Sequence, residues 1–331
     1  MKLFAVVMMA SLGLAAAAGE CSASGVNPFG YFNVYSLGGI SQSGGDYQGR
    51  AGAGGDVSMA HFSLNLLTPG GYALHAGGGA TLGSGVYFGH VEAAGNVSLA
   101  NATIQGDLRA GGNVGNTAGG TIWGDVQAAG SITLDQHYTV FGSKQGGVSY
   151  SPAVDHGVLA DYFTGFSGTV GGMSPTGSIA SAYGTLSVVA TSGVNVFALS
   201  EAALRAAHTF NVTGPADAVV YINVSGASAS LDNTVWHYLG GLSPAEVLLN
   251  FPEATVLALS HANEVNLLAP LADTTFPSGL VTGNLVVGEL SGGGQVNAGG
   301  FGHGPNPVPV PASVLLLGSG LGGLLAIRRG R

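Results

Sequence analysis

Ala93-Ala94-Gly95-Asn96-Val97-Ser98-Leu99, followed by Ala110-Gly111-Gly112-Asn113-Val114-Gly115-Asn116 and Ala128-Ala129-Gly130-Ser131-Ile132-Thr133-Leu134, decides the fold. The same pattern stands earlier as Ala53-Gly54-Gly55-Asp56-Val57-Ser58-Met59 and Ala76-Gly77-Gly78-Gly79-Ala80-Thr81-Leu82, and the leading alanines step by 23, 17, 17 and 18 residues. A second column precedes the first: His90-Val91-Glu92, Asp107-Leu108-Arg109 and Asp125-Val126-Gln127 each follow a glycine. Within each unit apolar and small polar residues alternate with a period of two, the signature of strands with one buried face. A step of 17–18 residues is too short for a strand-helix-strand crossover. It predicts a mostly β chain wound as a parallel β-solenoid, with two or three short strands per coil.

Stacking then fixes the columns. Val57, Ala80, Val97, Val114 and Ile132 are expected to point inward with Met59, Leu82, Leu99 and Leu134, leaving Ser58, Thr81, Ser98 and Thr133 as an outward hydroxyl ladder. Gly115 and Asn116 interrupt both columns, which predicts a bulge there. Glycines are expected at the corners, where φ is positive or backbones approach closely.

After residue 151 the pattern changes. Val154, Val158, Leu159, Tyr162 and Phe163 recur at helical spacing behind Pro152, predicting a short amphipathic helix over 152–166 that packs along one side. Gly165–Ser181 reads as a loop. Strand-like runs follow at Gly184–Val189, Gly193–Leu199, His208–Val212 and Ala218–Val224, with Ser200 as the N-cap of a short helix between them. The segment Val281–Val296 regains the small-residue strand character and predicts a return to the solenoid.

The two ends read as addresses. Lys2, the apolar run Leu3–Ala18 and the small residues Ala16-Ala17-Ala18 make a secretory signal over 1–18, with cleavage after Ala18. Cys21 is the one cysteine, so no intramolecular disulfide is available to the exported chain. At the other end Pro305–Pro311 leads into a nearly unbroken apolar run ending in Arg328, Arg329 and Arg331. Residues 308–327 are long enough to cross a bilayer core, and the arginines would hold the tail in the cytoplasm. The body is then 19–303, a Pro-rich spacer and sorting motif 304–311, and a membrane helix with a basic tail 312–331. This tail resembles the PEP-CTERM class of sorting signals, in its VPLPA variant. Val308, Pro309, Val310, Pro311, Ala312 and Ser313 carry the likeness, with Val310 in place of the commonest glutamate. The resemblance implies the secretion translocon and an exosortase-type sorting enzyme as partners. It also implies transient inner-membrane anchoring, then a cell-surface or matrix location.

Of 331 residues 59 are glycine, without a G-X-Y period, so the chain is not collagen-like; a hydrophobic fraction of 46% excludes charge-solvated disorder. Between 19 and 307 only Arg50, Arg109, Lys144 and Arg205 are basic; four positive against 17 negative charges leave the body at −13. That balance argues against nucleic acid as a partner.

The body is similar to the choice-of-anchor A domain family of exported bacterial proteins. The likeness rests on Phe32–Gly39, Asp46–Gly55, Val194–Leu199, Val220–Gly226, Leu249–Thr255 and Leu267–Ala272, in that order over roughly 28–303. The family joins one domain to alternative surface anchors, and the resemblance implies no catalytic residue and no cofactor.

Chemistry-bearing patterns are sparse. The nine histidines show no metal-helix spacing, and Asp155, His156 and Asp161 read as a solvated helix edge. Asp107 and Asp125 are expected to stack one coil apart, with His90 before them and Arg109 near. This could suit a carbohydrate-active β-helix enzyme, but corner carboxylates hydrogen-bonded to turn amides are the plainer reading. Asn96 and Asn113 read as a short amide ladder. The hydroxyl column suits a face that orders water or sugar, and Tyr87, Phe88 and Trp123 are outward candidates for sugar stacking. The expectation is a non-enzymatic structural or adhesive protein of the envelope or exopolysaccharide matrix; a glycan- or collagen-like matrix-binding module is the alternative.

Overall fold

The computed structural model describes residues 27–232 and 234–304. The signal peptide with Ala18, Cys21, the motif Val308–Ser313 and the apolar tail with Arg328, Arg329 and Arg331 lie outside the described residues. Among the described residues no helix is long and apolar enough to cross a membrane.

The chain is mostly β, and 27 of its strands join in one solenoid wall of parallel pairings; a smaller 4-stranded sheet continues it at one end. Each regular coil has three short strands. In one coil these are His90–Ala93, Val97–Leu99 and Ala102–Ile104, pairing residue for residue with Leu108–Ala110, Val114–Asn116 and, beyond, Gly120–Ile122. The first strand of every coil makes face A, the second face B and the third face C.

The predicted inward columns are the core. Val57, Ala80, Val97, Val114, Met59, Leu82 and Leu99 are at most 3% exposed. Burying a Val or Leu side chain contributes roughly 1.5–3 kcal/mol, so a repeated column stabilises the stack coil by coil. Ile132 and Leu134, in the last coil of this half, are only partly buried.

The order of coils differs from the order of the chain. Val34–Ser36 pairs with Ala51–Ala53 on one side and with Leu285–Val287 on the other, so the first coil sits inside the stack. From it the chain winds outward to Lys144–Gly146. Helix α2 (His156–Gly171) then returns along face A; a shorter helix α1 (Pro28–Tyr31) precedes the first coil. A second set of coils, beginning with Gly193–Ser200, winds back until Leu285–Gly292 and Gln295–Asn297 close on the first coil. Val281–Val296 thus returns to the solenoid as expected, onto the opposite side of the starting coil.

Several expectations need correction. Helix α2 runs five residues past 166, absorbing Gly168 and Gly171, because Phe166 and Val170 prolong its apolar stripe and Gly171 packs against Pro252. Val158 is exposed and Val154 is buried just ahead of the helix. No bulge occurs at Gly115 and Asn116: register with Val97–Leu99 runs through both and register with Ile132–Thr133 runs through Gly115, beyond which the Asn116 Oδ1 accepts the Asp135 amide at 3.0 Å. Tyr87 points inward in register with Ile104 and is fully buried, so it offers no sugar platform. Ser200 caps helix α3 (Glu201–Arg205) as predicted, accepting from the Ala203 amide.

Candidate functional site

Face B carries the hydroxyl ladder, and the first coil and the second half of the chain extend it. Register links Ser230, Ala258, Thr275, Ser291, Ser41, Ser58, Thr81, Ser98, Gly115 and Thr133 into one outward column. Parallel strands repeat about every 4.8 Å, so the hydroxyls stand on a regular line. Six of them, Ser291, Ser41, Ser58, Thr81, Ser98 and Thr133, line a shallow groove of about 1100 Å³. Each hydroxyl both donates and accepts, and none in the column is charged, so the face suits uncharged hydrogen-bonding polymers or ordered water. The sequence repeat reveals Ser58, Thr81, Ser98 and Thr133. It does not reveal Ser41, 17 residues before Ser58, because Ser36 replaces the leading alanine of its unit, nor Ser291, Thr275 and Ser230, whose coils vary in length and lack the alanine-glycine start.

The corners of the coils explain the acids and asparagines. Asp56 Oδ1 accepts the Gly79 amide at 2.7 Å, Asn96 Oδ1 the Asn113 amide at 2.8 Å, and Asn113 Oδ1 the Ser131 amide at 2.8 Å. The predicted amide ladder is therefore a side-chain-to-backbone ladder, each coil holding the next. These acceptors require glycine beside them: a Cβ on Gly112 would stand 2.3 Å from Asn96 Oδ1. Close approach, more than positive φ, is what selects this glycine.

The second corner column behaves alike. His90 Nδ1 accepts the Asp107 amide, Asp107 Oδ1 the Asp125 amide, and Asp125 Oδ1 the Ser143 amide, all at 2.7–2.8 Å. Asp107 and Asp125 do stack one coil apart, as turn-holding carboxylates. The Ser143 amide and hydroxyl hold the Asp125 carboxyl below the usual range. Arg109 lies elsewhere, because its strand position points out of face A; it donates to the Tyr72 hydroxyl at 3.0 Å and the Ser151 carbonyl at 3.3 Å.

Outside face A a polar cluster fills the space beneath residues 148–156. Glu92, 2% exposed, accepts from the Tyr150 hydroxyl at 2.9 Å and the Ala153 amide at 2.7 Å, with Arg109 at 3.9 Å. His75 Nε2 meets the Tyr31 hydroxyl at 3.0 Å. Burial first, then the charges of His156, Arg50 and Arg109, pushes His75 down to about 3. It is neutral at ordinary pH, and its 3.8 Å approach to Glu92 is not an ion pair. His156 also departs from expectation: its Nδ1 meets the Tyr35 hydroxyl at 3.0 Å in a largely buried site, while Asp155 caps helix α2. No group of three His, Cys, Asp or Glu side chains gathers as for a metal ion among the described residues.

Trp123 is exposed as predicted and stacks on Phe141, ring centroids 4.6 Å apart and 15° from parallel. Phe141 is not marked by the sequence repeat, whose last clear unit ends at residue 134. Each ring covers one face of the other, and both remain more than half exposed.

Over residues 25–298 the sequence matches the family described as "Putative Ice-binding-like adhesive domain". No curated protein and no solved structure matches it.

Proposed function

The chain belongs to the ice-binding-like adhesive domain family, and from that premise we propose that it is a surface-displayed, non-enzymatic adhesive whose contact surface is face B. The observation that carries this reading is the unbroken register of small outward side chains from Ser230 to Thr133, spanning both halves of the chain. A repetitive polymer of the extracellular polysaccharide or matrix meets such a face at many equivalent points, so weak contacts add along its length. The corner carboxylates Asp107 and Asp125 are committed to holding turns, which favours binding over hydrolysis of that polymer.

The delivery route in this reading is export through the translocon, with cleavage after Ala18. Transient inner-membrane anchoring through 312–331 and sorting by an exosortase-type enzyme at Val308–Ser313 follow, in keeping with the resemblance to choice-of-anchor A proteins. The test replaces Ser58 and Thr81 together by tyrosine, which fills the groove without touching the core. Cells displaying the variant are expected to lose at least about tenfold in attachment to matrix-coated surfaces; unchanged attachment at equal display would refute face B. Fractionating cells that express Pro309→Ala/Pro311→Ala tests the route, with retention in the inner membrane expected and normal surface display contradicting it.

A further inference from the structure

We propose that the cleft beside Arg50 binds the carboxylate of an acidic sugar, as carried by a uronate-containing polysaccharide. The cleft, about 280 Å³, lies at the corner between faces C and A, close to the lower limit of about 300 Å³ usual for small-molecule sites. The inference is independent of face B.

Arg50 breaks the chemistry of its own corner. Along this column Asn33, His90, Asp107 and Asp125 each accept an amide N–H from the next coil. A guanidinium has five donors and no acceptor, so Arg50 has no such role to fill. Its Nε is buried without a hydrogen-bond partner, and the guanidinium lies 4.6 Å over the Tyr31 ring. Two other basic residues of the body are engaged: Arg205 with Glu201, and Arg109 with Tyr72 and Ser151. No described carboxylate lies within ion-pair distance of Arg50. A permanent cation held on an aromatic ring and short of an acceptor is poised for an external anion.

The sequence of this coil points the same way. The step from Ala53 to Ala76 is 23 residues where later coils take 17 or 18. The extra length forms the exposed turn around Leu66, Leu67 and Thr68; Thr68 lines the cleft, and a Cβ on Gly71 would stand 3.4 Å from an Arg50 Nη. Insertions into a repeat commonly build its binding loops. The geometry of the fork selects the ligand group: one planar guanidinium pairs with one carboxylate, and each uronate ring presents one. Glycine backbone at Gly30 and Gly300 leaves room for a sugar ring beside the fork.

The experiment is calorimetric titration of the full chain, solubilised from the expressing cell, with oligogalacturonate and with the same oligomer after its carboxyls are reduced to alcohols. At least tenfold tighter binding of the acidic oligomer is expected, with the preference lost in Arg50→Gln, reduced in Arg50→Lys, and kept in the Ser58→Tyr/Thr81→Tyr variant. Retention of the preference in the tyrosine variant separates this site from face B. Unfolding of Arg50→Gln within a few degrees of the parent shows that the fold is intact. Equal binding of both oligomers, or an unchanged preference in Arg50→Gln, overturns the proposal. So does displacement of the oligomer by inorganic phosphate at concentrations where acetate is without effect. Glu20→Gln tests whether the chain's own leading acid fills the cleft: unchanged binding supports the proposal, and uronate binding seen only in that variant overturns it.

Discussion

The two halves of the solenoid share one core and one face B but treat face A in opposite ways. In the C-terminal coils the outward residues of face A are Val196, Tyr221, Leu248, Leu268 and Val286, continued by Tyr35 of the first coil, all buried under Leu159, Phe163, Phe166 and Val170 of helix α2. In the N-terminal coils the equivalent column reads Gly52, His75, Glu92, Arg109, Gln127 and Gln145. Only helix ends reach it, Tyr31 of helix α1 meeting His75; the segment 148–154 crosses the rest and is pinned by Glu92 and Arg109. One half is closed by apolar area, the other by a few hydrogen bonds around a buried charge. Apolar closure degrades gradually under substitution, and polar closure fails when one partner is removed.

The largest expected effect is on the repeat that both closures presuppose. Gly112→Val forces atoms into the space of Asn96 Oδ1 and the backbone behind it. A loss above about 4 kcal/mol, a large share of an ordinary domain's stability, is expected, so no folded protein should be recovered from the exported fraction. Next comes the polar closure: Glu92→Ala leaves the Tyr150 hydroxyl and the Ala153 amide without their acceptor and Arg109 without its counter-charge, and should cost about 3–5 kcal/mol. Hydrogen exchange should show the amides of 148–156 opening first, while those of the coils under helix α2 stay protected.

Acid sharpens the same contrast. His75 titrates near 3 in the folded chain against an ordinary 6.5, so the unfolded chain takes up its proton first as pH falls. The stability it contributes is whole above about pH 6.5 and declines toward pH 3, and burial displaces His156 in the same direction. The unfolding temperature should fall over that window, and His75→Leu should flatten the decline. The smallest effect is of the opposite sign. Gly165 lies inside helix α2 with nothing within 4 Å of where an alanine methyl would stand, so Gly165→Ala should stabilise by about 0.5–1 kcal/mol, read from denaturant midpoints.

Legibility in the sequence follows the same division. The N-terminal coils repeat every 17–18 residues with few insertions, so their inward columns and the Asp107–Asp125 stacking can be placed from the repeat alone. The C-terminal coils vary in length, and a helix stands where one face B strand would be, so their strands read as separate runs and their share of face B is hidden in the sequence. Helix α2 reads as ending at 166 because glycines look like loop unless the apolar stripe they interrupt is followed to Val170. The polar cluster is illegible for another reason: Glu92 and Tyr150 are 58 residues apart, and only the return of the chain across face A joins them.

The second half stacks beneath the first coil, giving one continuous face B from Ser230 to Thr133. Nitroxide labels at Thr133→Cys and Ser230→Cys, in a Cys21→Ser background, measure it directly by pulsed dipolar spectroscopy. Strand spacing along the column predicts a separation of about 43 Å. A distance of about 10 Å, as for coils stacked in chain order, would contradict it.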